Sequence, residues 1–276
     1  MKIIKNQCKS VSRFLLKNML KTIQGITYYS SPRLEGVPGL VHAFLGRIGG
    51  ISSGHLAYLN LGRRDEDKPE NLAENKRRVA AAFGVDEGKI FTVSQVHSDL
   101  IVVLDSVDAG VEEIKTQEAD GIITDVKGLS IGILTADCVP VLLFDRKNKI
   151  VAAVHAGWKG TASKISAKAV EIMMERFESR PQDIAAAIGP AIGPCCYEVG
   201  EEVVSAFGDQ EGVAVQQGNK WHVDLPKVNL LQLQDTGVTD IDLSNICTSC
   251  RTDLFFSHRK EMGKTGRQLS FISLIS

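Results

Sequence analysis

Three side chains have the chemistry and the setting to work together. His97 lies in "SQVHSD", Cys138 in "TADCVP" and His155 in "VHAGWKG". Each sits where an apolar, strand-like run gives way to a turn, a place where a rigid scaffold leaves a functional group open to a ligand. Imidazole and thiolate are borderline-soft donors that suit zinc, and three protein ligands leave a fourth position open, as catalytic zinc sites do. Zinc held in this way lowers the pKa of a bound water toward ~7. The separations of 41 and 17 residues contain no short chelating pair. On spacing alone, two other arrangements fit as well. One is a buried thiol with two hydrogen-bonded core histidines, and the other is a Cys138–His155 nucleophile–base dyad.

Positive charge that could hold an anion such as phosphate has several sources. Arg47 in "GRIGG" is the favoured phosphate clamp, with Arg259 and Arg267 as further candidates against the ordinary alternative of solvated arginines. "HAGWKGTASK" sets Gly157 and Gly160 between a strand and a helix over 162–178 that Thr161 would cap. Exposed amides there would hold an anion, or the glycines would simply allow a tight connection. Asp137 would face away from Cys138 along a strand, so it reaches the same pocket only if that strand ends at Thr135. "CTSC", Cys247 to Cys250, is a lone C-x-x-C, and Cys195 and Cys196 are adjacent rather than spaced as a second pair. A zinc knuckle needs that second pair, so buried or idle thiols are expected here. "MGKT" at 262–265 imitates a phosphate loop, but His258 stands where its first glycine belongs and a strand pattern follows it. No G-x-G-x-x-G occurs, so a dinucleotide fold has no support.

The elements that must position these groups are mostly strands. Val41 to Leu45, "IFTVSQVH", "LIVVLD", "GIITD", "LSIGILT", "VPVLLFD" and "IVAAVH" all read as strands, with a hairpin loop from Asp145 to Lys149. Their nearly continuous apolar runs imply sheets covered on both faces. Helices are expected at 69–83, opened by Pro69 and stopped by Gly84, and again near 200–207. A polar, turn-rich stretch follows, and the chain closes in "LFFSHRK…GRQLSFISLI", two strand-like pieces around a loop. Clustered strands and few helices indicate an α/β fold of α+β-like character, a single domain with mixed β-sheets and flanking helices.

Composition narrows the class. The chain has 276 residues, 43% of them hydrophobic, with 32 Lys and Arg against 33 Asp and Glu. That balance gives no nucleic-acid footprint, and no apolar run approaches the ~18 residues of a membrane span. Six cysteines without a signal peptide indicate free thiols in a cytoplasmic, reducing compartment. Residues 1–20 are different. "MKIIKNQCKSVSRFLLKNMLK" carries six basic residues and no acid, and reads as an extension ahead of a catalytic domain over 21–276, with Met19 as an alternative start.

Taken in order, "RIGGIS", "LNLG", "ENKRRV", "QVHSD", "EADGIIT", "TADCVPVLLFD", "AAVHAGWKG", "GPAIGPCCYEVG" and "FFSHRK…TGRQLSFI" resemble the YfiH-like family, also called the laccase-domain or multicopper polyphenol oxidoreductase family. The likeness spans about residues 28–276. It implies a YfiH-like fold and zinc ligation by His97, Cys138 and His155, which match the family's ligand positions one by one. It also implies phosphorolysis of adenosine, inosine and methylthioadenosine, with Arg47 among the catalytic residues, and adenosine deamination through a zinc-bound hydroxide. Purine nucleosides and phosphate are then the partners. Lys159 and Lys260 depart from common arginines, His258 from a frequent tyrosine and Gln268 from a frequent methionine. Lysine cannot reproduce a bidentate arginine clamp. The alternatives are a copper-dependent polyphenol oxidase, with copper as an occupant of the same site, and a cysteine-hydrolase-like or non-enzymatic zinc protein. Six histidines in the whole chain are too few for a blue-copper centre plus a trinuclear cluster.

Overall fold

Every one of the seven residues in β8 (Val139–Asp145) and β9 (Ile150–Ala156) is buried, and the reason is visible in how their side chains sort. Leu142, Phe144, Val151 and Ala153 point into one core, while Val141, Leu143, Ala152 and Val154 point into another. Alternation along a strand sends neighbours to opposite faces, so both faces of this sheet are covered. The structure is a computed structural model and describes residues 19–62, 67–105, 114, 116–208 and 212–275.

Two six-stranded sheets and a small third sheet make up the fold. The first sheet runs β1 (Leu20–Ile23), β2 (Ile26–Tyr29), β3 (Leu40–Leu45), β15 (Gln268–Leu274), β7 (Ser130–Thr135) and β4 (Ile90–Phe91). The second runs β14 (Asp240–Leu243), β10 (Ile184–Ile188), β8, β9, β6 (Gly121–Thr124) and β5 (Ile101–Leu104). Three pairs are parallel, β4 with β7, β5 with β6 and β10 with β14, and the rest are antiparallel. Both sheets are therefore mixed, as the sequence indicates. The third sheet is β11 (Glu198–Val199), β13 (Lys220–Val223) and β12 (Ala214–Gln217).

The two large sheets pack face to face, with Phe44, Ile131, Ile133 and Ile272 of the first against Leu142, Phe144 and Ala187 of the second. Helix α1 (Pro69–Phe83) covers the outer face of the first sheet through Val79, Ala80 and Ala82. Its start at Pro69 and its stop at Gly84, with φ 65°, follow the expected signals. After the five-residue α2 (Trp158–Ala162), α3 (Ile165–Phe177) covers the outer face of the second sheet, joined there past α4 (Glu201–Ser205) by α5 (Leu225–Asp235). The order of layers is helix, sheet, sheet, helix. At Gly189 the layers touch so closely that a Cβ would stand 2.1 Å from the Phe44 ring.

Several elements differ from the sequence pattern. Thr161 lies inside α2 and caps nothing; α3 begins only at Ile165, after Lys164 in the left-handed region. The Thr161 hydroxyl instead accepts from Asn229 of α5, and Gln232 donates to the Thr161 carbonyl, which clamps α2 against α5. Helix α5 falls in the stretch expected to be turns, because its apolar residues are diluted by Asn and Gln; the Asp224 side chain caps it at the Lys227 amide. β1, β2 and β10 are short strands whose patterns are too brief to read. In "IFTVSQVH" only Ile90–Phe91 is strand, and "LFF" at 254–256 is turn rather than strand. Most of the basic extension, residues 1–18, lies outside the described residues, and β1 already begins at Leu20. Among the described residues no helix is long and apolar enough to cross a membrane.

Candidate active site

His155 comes from the end of β9, Cys138 from the turn between β7 and β8, and His97 from the loop before β5. The structure brings all three together, with one ligand atom of each within 4.8 Å of the others. Cys138 Sγ lies 3.9 Å from His97 Nε2, and the two imidazoles stand edge to face with centroids 4.9 Å apart. Gly157 makes this approach possible: a Cβ there would meet His97 Cδ2 at 3.0 Å and Cys138 Sγ at 3.5 Å. Gly160 is packed just as tightly, against the Ser98 carbonyl. Close packing at the donors accounts for both glycines of the expected anion loop.

Asp120 organises the site. It is fully buried at the start of β6, and its carboxylate accepts from His155 Nδ1 at 2.7 Å, Ser98 N at 2.6 Å, Ser98 Oγ at 2.8 Å and His97 N at 3.1 Å. A carboxylate can only accept here, so His155 keeps a proton on Nδ1, and Nε2 is the ring atom left to take a metal ion in place of its second proton. The same group fixes the backbone of His97, whose φ of 62° is in the left-handed region. One buried acid therefore orients two donors, the arrangement found behind metal-ligating histidines. Burial resists ionisation of Asp120, yet the bonds from His155 and Ser98 outweigh it and bring the carboxyl down to about 2. In the same way burial opposes charge on Cys138 and His155, and the mutual field wins, drawing the thiol down and the imidazole up. A thiol poised to ionise beside two imidazoles is a fitting donor set for a soft or borderline metal ion.

These groups open into a cavity of about 630 Å³, within the range of small-molecule sites. Strand β7 ends at Thr135 and Asp137 has φ 92°, so Asp137 does turn into the cavity beside Cys138. Its two oxygens are held by Thr248 Oγ1 at 2.6 Å and Arg259 N at 2.7 Å. Trp158, Ile192 and Tyr197 supply apolar wall, and His258, Arg259 and Arg267 supply a basic side. Arg259 is aimed by the Glu198 carbonyl at 2.6 Å and lies over the Tyr197 ring.

Arg47 is not brought to this cavity. Its guanidinium is engaged by the Ala57 and Thr252 carbonyls and Glu261, over the face of Phe256, and the side chain is 11% exposed. A fixed, paired cation of this kind holds loops together. The basic residues that do line the cavity are those ranked behind it in the sequence. Asp120 is the functional residue that sequence reasoning passes over, and its one signal is an acid directly before a wholly buried strand, Gly121–Thr124.

The thiols also depart from expectation. Cys138, Cys196, Cys247 and Cys250 are free, whereas Cys195 is held in a disulfide. The adjacent pair and the C-x-x-C, which do not match as a motif, meet in space as a second sulfur cluster.

A model of the multi-copper polyphenol oxidoreductase laccase family matches residues 41–275. The chain belongs to this family. It is 38% identical over 261 residues to the purine nucleoside phosphorylase of Deinococcus radiodurans, covering 92% of this chain and 95% of that protein. It is 35% identical over 233 residues to the purine nucleoside phosphorylase YfiH of Escherichia coli, covering 83% and 91%. The fold matches the crystal structure of YlmD from Geobacillus stearothermophilus with a TM-score of 0.85 at 32% identity, over 94% of this chain and 99% of that one. The family resemblance read from the ordered motifs, and the mixed α/β fold it implies, are thus both found.

Proposed function

We propose that this protein is a zinc-dependent purine nucleoside phosphorylase acting on adenosine, inosine and methylthioadenosine, with adenosine deaminase activity at the same site. The observation that carries the reading is the meeting of His97, Cys138 and His155, backed by Asp120, with a cavity whose other side is basic. The names of the bacterial relatives support the phosphorylase chemistry.

His97, Cys138 and His155 would hold the ion. Zinc bound there would supply Lewis acidity at neutral pH. The rest is the work of the chain. Trp158 and Tyr197 offer flat apolar surface to the purine, while Arg259 and Arg267 bring positive charge to phosphate. In phosphorolysis a phosphate oxygen bonds to C1′ of the ribose as the C1′–N9 bond breaks. The electron pair goes to the purine, which takes up a proton. Holding phosphate and ribose in one cavity makes this bond exchange effectively intramolecular. In deamination, water adds at C6 of the purine, ammonia leaves, and inosine results. The same reading places catalysis at His97, Cys138 and His155 and moves the phosphate role from Arg47 to the arginines of the cavity wall.

The family's oxidoreductase name points to multicopper chemistry, and the number of available imidazoles does not suit it. Of the histidines, His42 accepts from the Ser31 amide, His222 is bonded to the Pro194 carbonyl, and only His97 and His155 join a metal-ligating group among the described residues. Multicopper oxidation needs many more imidazoles.

The test is incubation of the purified, zinc-loaded protein with each nucleoside, with and without phosphate, and chromatographic analysis of products. Free base and ribose 1-phosphate should appear only with phosphate, and inosine should form from adenosine without it. No turnover of any nucleoside would sink both activities.

A further inference from the structure

The second sulfur cluster joins two turns that are far apart in sequence. Cys196 Sγ and Cys250 Sγ are 3.4 Å apart, the Gly193 amide donates to Cys247 Sγ at 3.2 Å, and all the cluster's sulfurs lie within 4.8 Å of one another. Cys247 is buried, Cys196 half-buried and Cys250 exposed, so the group is built into the protein yet open to solvent on one side. Cys195 belongs to the same group but is committed to a disulfide, so its sulfur is left out of the donor count. Among the described residues no imidazole or carboxylate joins these sulfurs.

We propose that Cys196, Cys247 and Cys250 bind one thiophilic d10 cation, zinc or copper(I), as a staple that braces the wall of the nucleoside cavity. A purely sulfur donor set selects such ions over magnesium, calcium or manganese. The Gly193 N–H bond to Cys247 is the outer-layer hydrogen bond that steadies a thiolate ligand. Lys260 lies near enough to offset part of the negative charge of three thiolates. Binding releases the three thiol protons to solvent and transfers no electrons, whether the ion arrives as zinc or as copper(I).

The staple has something to hold. Tyr197, next to Cys196, lines the cavity, as does Ile192, whose amide donates to the Asp137 carbonyl at 2.8 Å. Thr248, next to Cys247, bonds both the Ala191 carbonyl at 3.0 Å and Asp137 Oδ1 at 2.6 Å. An ion across the two turns therefore fixes Asp137 and the aromatic wall without touching His97, Cys138 or His155. The metal-binding claim stands independently of the nucleoside reading, since it concerns different ligands and is read by a different signal.

The experiment uses the full-length Cys138→Ala protein under anaerobic conditions without a disulfide reductant, stripped of metal, so that the first site contributes no thiolate and Cys195 stays in its disulfide. Cobalt(II) is titrated in and its sulfur-to-metal charge-transfer band recorded. One equivalent should develop the band, and either zinc or copper(I) should bleach it. Zinc displacing at lower concentration assigns the site to zinc, and copper(I) doing so in competition with a copper(I) chelator assigns it to copper. Adding Cys250→Ser, a near-isosteric change at an exposed position, should remove the band and weaken zinc binding by at least ~100-fold, as a lost ligand does more than the ~10–100-fold of an outer partner. The absence of any charge-transfer band, or a band that survives Cys250→Ser and Cys196→Ser together in folded protein, overturns the proposal. So does equal alkylation of the three thiols with and without zinc.

Discussion

Changing Asp120 to Asn alters one atom's chemistry and leaves the side chain's shape alone, which isolates the role of its charge. The carboxylate accepts from His155 Nδ1, the Ser98 amide and hydroxyl, and the His97 amide at 2.6–3.1 Å. Asparagine offers one acceptor oxygen and must turn an NH2 group toward half of those donors. If the NH2 faces His155, the ring moves its proton to Nε2 and loses the lone pair needed for a metal. If it faces Ser98, a buried amide loses its acceptor. Each charge-assisted hydrogen bond contributes about 1.5–3 kcal/mol, so two lost bonds give about 3–6 kcal/mol of destabilisation. Loss of the orienting partner weakens metal binding ~10–100-fold. The wild-type carboxyl, brought down to about 2, also contributes stability that is complete above its unfolded value of 3.8 and is lost as pH falls through 2. That acid limb of about 2 kcal/mol disappears in the variant. Urea unfolding at pH 7 and pH 2.5, with chelator competition for zinc, measures all three effects. An unchanged unfolding midpoint and unchanged zinc affinity would refute the reasoning.

Arg259→Ala should raise the KM for phosphate about tenfold, the effect of losing ~1.4 kcal/mol of binding. Arg47→Ala should leave that KM alone but cost about 3 kcal/mol in denaturant unfolding, since it strips Glu261 of a largely buried partner. Gly157→Ala pushes a methyl to 3.0 Å from the His97 ring, so kcat should fall about tenfold while the unfolding midpoint barely moves. His42 is buried and accepts from the Ser31 amide, and burial lowers it from 6.5 to about 4. The unfolded chain then binds the extra proton first, so stability should fall by about 3 kcal/mol as pH drops from 6.5 to 4. A His42→Gln protein with the same slope over that range would contradict this.

That His97, Cys138 and His155 share one pocket was legible because each interrupts an apolar run with a group that core packing does not need, and the ordered motifs pointed the same way. The long strands β7, β8 and β9 and helix α1 were legible through burial on both faces and clear start and stop residues. What escaped has a physical pattern. Helix α5 hides because Asn229 and Gln232, polar by type, are buried to clamp Thr161. Asp120 hides because it bonds to groups from residues 96–98 and 155, which only the fold brings to it. Arg47 misleads because a glycine-flanked arginine looks the same in sequence whether it awaits an anion or is already paired with Glu261. The cysteine cluster escapes a reading by spacing, because spacing says nothing about two turns that meet only after folding.

The most direct test of the central claim is release of ribose 1-phosphate from adenosine with isotopically labelled phosphate, measured for the zinc-loaded wild type and for Cys138→Ala. The account predicts label in the sugar phosphate for the wild type, and loss of that product together with loss of zinc from the first site in the variant. Full turnover by Cys138→Ala, or unlabelled ribose as the product of the wild type, would contradict it.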